Sequence, residues 1–432
     1  MTDKELLWIW LGAVCQTGSA VSDALLERFE DNVEAIFSAR REELETVPNI
    51  SAPLLNALCR RDLEEAEAIR DYCRQNGIGI LHPQSSAYPA ALQRIKHRPL
   101  VLYYLGQLPD FDHRLCVAMV GTRHMTEYGK RTSYTIAYDL ARANAIVVSG
   151  MALGIDGICH RAALDAGGST AAILGCGLDR CYPKEHRALF DELIQANAVI
   201  TEYKPGTPPN SYNFPQRNRI ISGLSAATAV MEADERSGAL ITARCALYQG
   251  RNLYALPGKV GETNSRGTNS LIADGARIIT KASDLLKDYV GNYPLLLPQE
   301  KTSAPLRRKP AYRKTVRDGD GNFYSVEVNK PSDAETQPPA ERKSFSAPAF
   351  KTQDKAAVRT EDAARIRHPS LSSIESRVYS LLPEEGGITP DDMLSSGLTY
   401  AEIITALTTL EIKGLLCALP GGLYRRMSGK NG

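Results

Sequence analysis

The chain has 432 residues, of which 43% are hydrophobic and 23% charged, and its net charge is +1. That length is too great for a single ordinary domain and sufficient for two or three. No apolar run approaches the ~20 residues that a membrane-spanning helix needs, which excludes proteins that span a membrane with helices. The near-zero charge by itself predicts no partner, because it can conceal a basic face.

The cysteine and histidine patterns argue against metal sites and disulfides. The nine cysteines are scattered, without a CxxC pair, and the seven histidines lack ligand spacing. We therefore expect buried free thiols, no cofactor and no metal site. His160 lies within a helical pattern and is interpreted as structural. The first residues, "MTDKELLWIWLGAV", lack the basic start and cleavage site of a secretory signal, so a cytoplasmic location is expected.

Residues 1–80 have only helical patterns. Apolar residues recur at intervals of three and four in "SDALLERFEDNVEAIFSAR" and in the segments that follow. "TVPNISAPLLNAL" predicts a turn between two helices, as in a helix-hairpin-helix or SAM-like domain. Asn49 and Ser51 replace the glycines with which such turns hold a DNA backbone, which favours a packing or partner contact.

Residues 85–292 alternate short apolar runs with helical segments. The runs are "LCVAMVG", "AIVVSG", "TAAILGCG", "AVITEY", "ATAVMEA", "RNLYALPG" and "ARIIT". Strands that are apolar on both faces and separated by helices predict a parallel sheet covered on both sides. The fold class is therefore α/β, with a doubly wound, Rossmann-like sheet.

The remaining chain divides into a linker and a last domain. Residues 293–367 are rich in proline, serine and lysine, which predicts a disordered linker, with a brief hairpin at "DGDGNFYSVEVNK". Residues 368–432 predict three helices and a two-stranded hairpin, the pattern of a winged helix. Its third helix carries Glu402, Glu411 and Lys413, so protein contact is as plausible as DNA contact for this domain.

Several glycine-containing loops follow the strands of the predicted sheet. In such folds ligands bind beyond the carboxyl ends of the strands, where glycine permits close approach and helix N-termini attract anions. An arginine there can hold phosphate oxygens. These loops contribute the candidate residues Gly121, Thr122, Arg123, Ser149, Gly150, Gly154, Ser237 and Gly238, with Asp156 beside them.

The segment "NFPQRNRIISG" places two arginines at a helix start near the same edge. Arg217 and Arg219 point in different directions, so one can grip phosphate while the other fixes the loop. Phe214 can stack on a base, and such a combination is typical of single-stranded nucleic acid sites. The alternative is an arginine that pairs with Glu202 or Asp156 as a structural brace.

Residues 85–290 closely resemble the DNA-processing protein A (DprA/Smf) family of bacteria. The resemblance rests on "VGTR", "SGMALGIDGICHRAALDAGGSTAAILGCGLDR", "FPQRNRIISGLS" and "SGALITARCALYQGRNLYALPG", in that order. It implies a Rossmann-like domain that binds single-stranded DNA, forms a homodimer and helps to load the RecA recombinase during natural transformation.

The resemblance also assigns residues. Arg123 lies at the position of the family's DNA-binding arginine in its G-S-R motif. Phe214, Arg217, Asn218 and Arg219 match the family's F-P-x-R-N-R segment. Many relatives have a DNA-contacting lysine where this chain has Ser211, and Lys204 is the nearest basic residue upstream.

Two other function classes remain open from the residues. A nucleotide-binding or nucleotide-cleaving enzyme of the same superfamily would need a catalytic glutamate loop, which "ERSGALITAR" does not provide. Glu232, Asp234 and Glu235 could hold a metal, although carboxylates at strand ends more often cap helices or pair with arginines. A duplex-binding transcriptional regulator would need a more basic recognition helix. We expect a non-enzymatic protein.

Overall fold

The structure is a computed structural model that describes residues 3–15, 18–296, 312–317, 323–328, 373–384, 387–390, 392–412, 415–419 and 423–426. The chain divides into two compact units. One comprises Met1–Gly18 and Asp62–Phe345, and the other comprises Ser19–Arg61 and Ser346–Gly432. The domain boundaries drawn from the sequence stay predictions.

A nine-stranded sheet forms the centre of the first unit. Its strands are β1 (Gly79–Leu81), β2 (Leu102–Gly106), β3 (Cys116–Val120), β4 (Ile146–Ser149), β5 (Ser169–Ile173), β6 (Ala198–Thr201), β7 (Ala227–Val230), β8 (Asn252–Ala255) and β9 (Arg277–Ile278). They are ordered β1-β2-β6-β5-β4-β3-β7-β8-β9. In that spatial order, the seven strands β6-β5-β4-β3-β7-β8-β9 pair in parallel with their neighbours. This mostly parallel α/β sheet confirms the predicted fold class, and each predicted apolar run overlaps one of its strands.

The first two strands of the sheet were not predicted. β1 pairs antiparallel with β2, and β2 pairs antiparallel with β6. β1 has only three residues, too few to show a periodicity. The sheet is therefore mixed at this edge, as is common in large sheets of this class.

Helices precede and connect these strands. They are α1 (Lys4–Cys15), α2 (Ala20–Arg28), α3 (Val33–Ser38), α4 (Arg41–Glu45), α5 (Ala52–Arg60), α6 (Glu64–Gln75), α7 (Ala90–Gln93), α8 (Glu127–Arg142), α9 (Ile155–Asp165), α10 (Arg187–Ala196), α11 (Asn213–Gly223), α12 (Ala239–Tyr248), α13 (Thr263–Ala273) and α14 (Ala282–Leu286). Within the described residues, no helix is long and apolar enough to cross a membrane.

Two hydrophobic layers enclose the sheet, and β3 contributes to both. Val117 and Met119 pack in one layer with residues of α8, α9 and α14. Cys116, Ala118 and Val120 point to the opposite face and pack with residues of α7, α11 and α12. β3 lies between β4 and β7, where the strand order reverses. Such a switch point opens a crevice beyond the carboxyl ends of the strands.

The second unit contains α2 to α5 and the C-terminal elements. The predicted turn lies between α4 and α5, where Asn49 adopts a left-handed φ of 60°. Ser51 accepts a hydrogen bond from the backbone N–H of Leu54 and so caps α5.

The C-terminal elements follow the predicted order. They are α15 (Ser373–Leu381), a 3₁₀ helix (Asp392–Ser396), α16 (Tyr400–Ile412), β12 (Leu416–Leu419) and β13 (Leu423–Arg426). β12 and β13 pair antiparallel. The middle helical segment is thus a short 3₁₀ helix and not an α-helix.

A hairpin occurs within the predicted linker. β10 (Tyr312–Arg317) and β11 (Phe323–Val328) pair antiparallel, which confirms the predicted hairpin and places its first strand just before the predicted segment. The other residues from 297 to 367 lie outside the described residues.

Candidate nucleic-acid interface

A cleft lies beyond the carboxyl ends of β3, β4 and β5, at the start of α11. We call it the carboxyl-edge cleft. It is lined by Arg123, Gly150, Ala152, Leu153, Leu174, Gly175, Cys176, Tyr182, Pro183, Phe214 and Arg217. The structure thus brings together four of the predicted site residues: Arg123, Gly150, Phe214 and Arg217.

Arg123 supplies an available positive charge to the cleft. Its side chain is exposed, and its guanidinium carbon lies 5.7 Å from the centroid of the Phe214 ring. Among the described residues, none forms a hydrogen bond or ion pair with it. Its donors are therefore available to an anion, and the cation–ring contact holds the side chain over the aromatic surface.

Phe214 and Tyr182 form an aromatic wall. Their ring centroids are 5.4 Å apart with an angle of 34° between the rings. Phe214 is half-buried, whereas Tyr182 is 37% exposed. A Cβ on Gly175 would lie 2.9 Å from the Phe214 ring, so this glycine allows the ring to lie against the chain after β5. A flat, partly exposed ring beside a cation can stack on a base.

Arg217 is the buried floor of the cleft. It is only 4% exposed, and its Nη1 donates to the carbonyl of Gly150 at 2.8 Å and to that of Ile173. Burial lowers the pKa of Arg217, and the Asp156 carboxylate opposes that shift. The side chain thus joins the ends of β4 and β5 while keeping a positive charge beneath the cleft.

A glycine at position 150 leaves the space that the Arg217 guanidinium occupies. A Cβ at this position would lie 2.5 Å from Nη2 of Arg217. The N–H of Gly150 donates to Oδ2 of Asp156 at 3.1 Å. Burial raises the pKa of Asp156, and Arg217 counteracts this effect. Asp156 is therefore a counter-charge within the floor.

Two of the predicted loops meet directly. The N–H of Ile155 donates to the carbonyl of Thr122 at 3.2 Å, and that of Thr122 donates to the carbonyl of Glu232 at 2.7 Å. A Cβ on Gly154, which has a φ of 79°, would lie 2.3 Å from the Thr122 carbonyl. A Cβ on Gly121 would lie 2.6 Å from Ile155. The two glycines let the loops approach closely, and backbone N–H and carbonyl groups of the loops are hydrogen-bonded to each other.

Ser149, Asn218 and Arg219 make contacts within the protein. The buried Ser149 hydroxyl donates to the Met119 carbonyl at 2.6 Å. Asn218 Nδ2 lies 3.5 Å from the Gly238 carbonyl. Arg219 donates to both carboxylate oxygens of Glu202, at 2.8 and 2.6 Å. Arg219 thus forms the ion pair with Glu202 that the brace alternative describes, and its assignment to DNA binding stays a prediction.

In the described part of the chain, the loop after β7 contributes to the start of α12 and not to the cleft. Ser237 and Gly238 do not line the carboxyl-edge cleft there. The Ser237 hydroxyl accepts from the N–H of Ala239 at the start of α12. A Cβ on Gly238 would touch nothing within 4 Å, so space does not require this glycine.

Glu232 caps a helix, as expected for a carboxylate at a strand end. It accepts from the N–H and the hydroxyl of Thr126, at 2.9 and 2.5 Å, and Thr126 caps α8. Across the described residues, no cluster of three or more histidine, cysteine, aspartate or glutamate side chains could hold a metal ion. The Glu232 carboxylate is thus already hydrogen-bonded at the start of α8.

Sequence reasoning missed the loop after β5. That loop brings Gly175, Cys176, Tyr182 and Pro183 to the cleft. The signal was present, because "TAAILGCG" is a strand that ends in glycine at the same edge as the others. Tyr182 follows it by several residues without a motif of its own.

His160 and Lys204 are held by neighbours in the scaffold. His160 is buried, and its Nδ1 lies 2.7 Å from the Thr170 hydroxyl, which donates to the carbonyl of Val147. This contact supports the structural interpretation of His160. Lys204 forms an ion pair with Glu65, and Ser211 is exposed.

Comparison with known proteins places the chain in a family. A family model for DNA recombination-mediator protein A matches residues 79–290. Protein Smf of Synechocystis sp. is 35% identical over 318 residues, covering 72% of this chain and 78% of that protein. DNA processing protein DprA of Bacillus subtilis is 37% identical over 215 residues, covering 50% and 72%. The X-ray structure of DprA from Streptococcus pneumoniae has a TM-score of 0.58 at 29% identity, covering 65% of this chain and 97% of that one. By sequence and fold together, the chain belongs to the DNA recombination-mediator protein A family.

Proposed function

We propose that the protein binds single-stranded DNA in the carboxyl-edge cleft, without catalysis. The observation that carries the proposal is Arg123. It is an exposed cation beside an aromatic ring at a sheet's carboxyl edge, and no described residue uses its donors. An arginine with free donors can hold two phosphate oxygens at once.

The cleft suits an unpaired strand because it offers a ring as well as a charge. Phe214 and Tyr182 present ring surface beside Arg123. A base can stack on such a surface only when it is free of its complement, and stacking contributes about 1 to 3 kcal/mol per base. Arg217 acts from below through its charge and by holding Gly150 in place.

The cellular role follows from the family. We infer that the bound strand is passed to the RecA recombinase during the processing of incoming DNA in natural transformation, and that the protein acts in the cytoplasm as a homodimer. We further propose that residues 1–80 form a helical domain and that residues 368–432 form a winged-helix domain that contacts DNA or protein. Residues 293–367 would then be the linker.

Fluorescence anisotropy with a labelled oligo-dT strand tests the proposal. The wild type is expected to prefer the single strand over a duplex of equal length. Arg123→Ala should weaken single-strand binding roughly tenfold, because it removes a charge-assisted phosphate contact. The control is Arg277→Ala, which removes the same side chain at the start of β9, outside the carboxyl-edge cleft, although this arginine is paired with Asp288.

Circular dichroism of each variant must show the wild-type spectrum. Equal binding by the wild type and by Arg123→Ala would contradict the site, and equal affinity for duplex and single strand would contradict the ligand. An equal loss in Arg277→Ala would mean that the cleft is not the binding surface.

A further inference from the structure

A second pocket lies at the opposite edge of the sheet, where β3, β7 and β8 begin. We call it the amino-edge pocket. Its empty space amounts to about 600 Å³, including the part open to solvent, and its walls include Arg94, Phe111, Asp112, Arg114, Arg251 and Tyr293. Leu224, Ser225 and Arg251 in its wall belong to segments that carry the family resemblance, but within the described chain none of the predicted site residues lines it.

The pocket carries more positive than negative charge. Arg94, Arg114 and Arg251 line it together with one carboxylate, Asp112. One oxygen of that carboxylate already accepts from the N–H of Ala90, at 2.9 Å. The wall thus holds three guanidiniums and one partly occupied carboxylate, and Asp110 outside the wall acts on Arg114 as a second negative charge.

The three arginines retain unused donors. Arg94 is exposed, and no described residue forms a hydrogen bond or ion pair with it. Arg114 uses Nε and Nη1, on the Asn144 carbonyl and the Ser169 hydroxyl, and leaves Nη2. Arg251 uses only Nη2, on the carbonyls of Ala91 and Gly223, and its buried Nε has no partner in the described chain.

The local electrostatics favour a bound anion. Burial lowers the pKa of Arg251, and the charge of Arg94 lowers it further. Burial also lowers the pKa of Arg114. Each shift means that the site disfavours its own charges, and an anion between the guanidiniums would remove that penalty.

We infer that the amino-edge pocket binds a phosphate group carried by a nucleotide unit. Phosphate is the anion that matches several converging guanidiniums. The half-buried Tyr293 ring, with the edge of the largely buried Phe111 beside it, gives a sugar or base an apolar surface. The unit can come from a free nucleotide or from a DNA strand, and this site is independent of the carboxyl-edge cleft.

Isothermal titration of the full-length protein with thymidine monophosphate and with inorganic phosphate tests the inference. Arg94→Ala is the informative variant, because Arg94 supports no other described residue through a hydrogen bond or ion pair. It should weaken nucleotide binding roughly tenfold, and Arg94→Glu should abolish it. The control Lys96→Ala removes a neighbouring cation that lies over the Tyr248 ring and outside the pocket wall, and it should bind as the wild type does.

Competition with oligo-dT separates the two sources. If the oligomer displaces the nucleotide from the wild type and this displacement is absent in Arg94→Ala, the ligand is a DNA strand. If the oligomer leaves nucleotide binding unaffected, the ligand is the free nucleotide. Arg123→Ala distinguishes the two sites, because it should leave the Arg94-dependent part of nucleotide binding unchanged. The inference fails if neither phosphate compound binds, if sodium chloride at equal ionic strength competes equally, or if Arg123→Ala and not Arg94→Ala removes binding.

Discussion

Gly150 shows how a single missing side chain defines the candidate site. The Arg217 guanidinium occupies the space where a Cβ at residue 150 would lie. The same arginine holds the carbonyl at the end of β5, so moving it disturbs two strands. The buried Arg217 is therefore coupled to Gly150, which lies 67 residues earlier in the chain.

We predict that Gly150→Ala destabilises the protein by about 1 to 3 kcal/mol, because it overfills a packed site. The control is Gly238→Ala, where φ is −58° and the added methyl meets nothing. That change should be neutral or stabilise by about 0.4 to 1 kcal/mol, since it restricts the unfolded chain. Urea unfolding followed by circular dichroism measures both, and equal effects would contradict the packing argument.

His160 predicts a pH dependence of stability. Burial, with smaller contributions from His186 and Arg217, lowers its pKa from 6.5 to about 3. Between these values the unfolded chain binds a proton that the folded protein does not, so stability falls as pH falls from 6.5 toward 3. The slope from this residue approaches roughly 1.4 kcal/mol per pH unit.

His160→Gln should remove this component. Urea unfolding free energies measured at several pH values below neutrality give the slope for each protein. The comparison uses slopes, so any constant loss of stability in the variant does not affect it. An unchanged slope in the variant would show that other groups cause the acid sensitivity.

At the scale of elements, α11 is fixed by an ion pair that water hardly reaches. Arg219 and Glu202 have side chains that are 12% and 2% exposed, and they join α11 to the end of β6. Loss of one partner leaves a buried charge without compensation, which is strongly destabilising. The pair therefore sets where α11, with Phe214 and Arg217, meets the cleft.

We predict that Arg219→Ala costs about 3 to 5 kcal/mol in unfolding free energy. Arg161 and Glu192 provide the matched control, because they form the same two-bond geometry with side chains 34% and 48% exposed. Arg161→Ala should cost about 1 kcal/mol or less. Similar losses in the two variants, measured by urea unfolding, would show that burial does not decide the strength of the pair.

The sequence predicted elements better than it predicted side-chain roles. Long apolar runs such as "LCVAMVG" determine a buried strand wherever it lies, so β3 to β9 were all located. The antiparallel pairing of β2 with β6 depends on partners distant in the chain, and no local pattern encodes it. Likewise, Arg123 and Arg217 look alike in sequence, and only the fold leaves the first exposed and the second buried.

At the scale of the whole molecule, a net charge of +1 gives no overall attraction for DNA, so any electrostatic attraction must come from locally basic surfaces. Binding must then depend on local contacts at the sheet edges. We predict a linear fall of log K with log salt, at roughly 0.7 per phosphate contacted by a single strand. Arg123→Ala should reduce that slope by about one contact, as measured by anisotropy across a salt series. A slope that stays the same would exclude Arg123 as a phosphate contact.

The position of β3 has a consequence for how the protein is made. β3 is the first of the parallel strands to be synthesised, yet one of its neighbours, β7, begins only at residue 227. While the intervening chain emerges from the ribosome, the middle of the future sheet has an open edge with unpaired backbone groups. Open edges recruit other strands, so we expect nascent chains that stall before β7 to aggregate more readily than chains that have completed it.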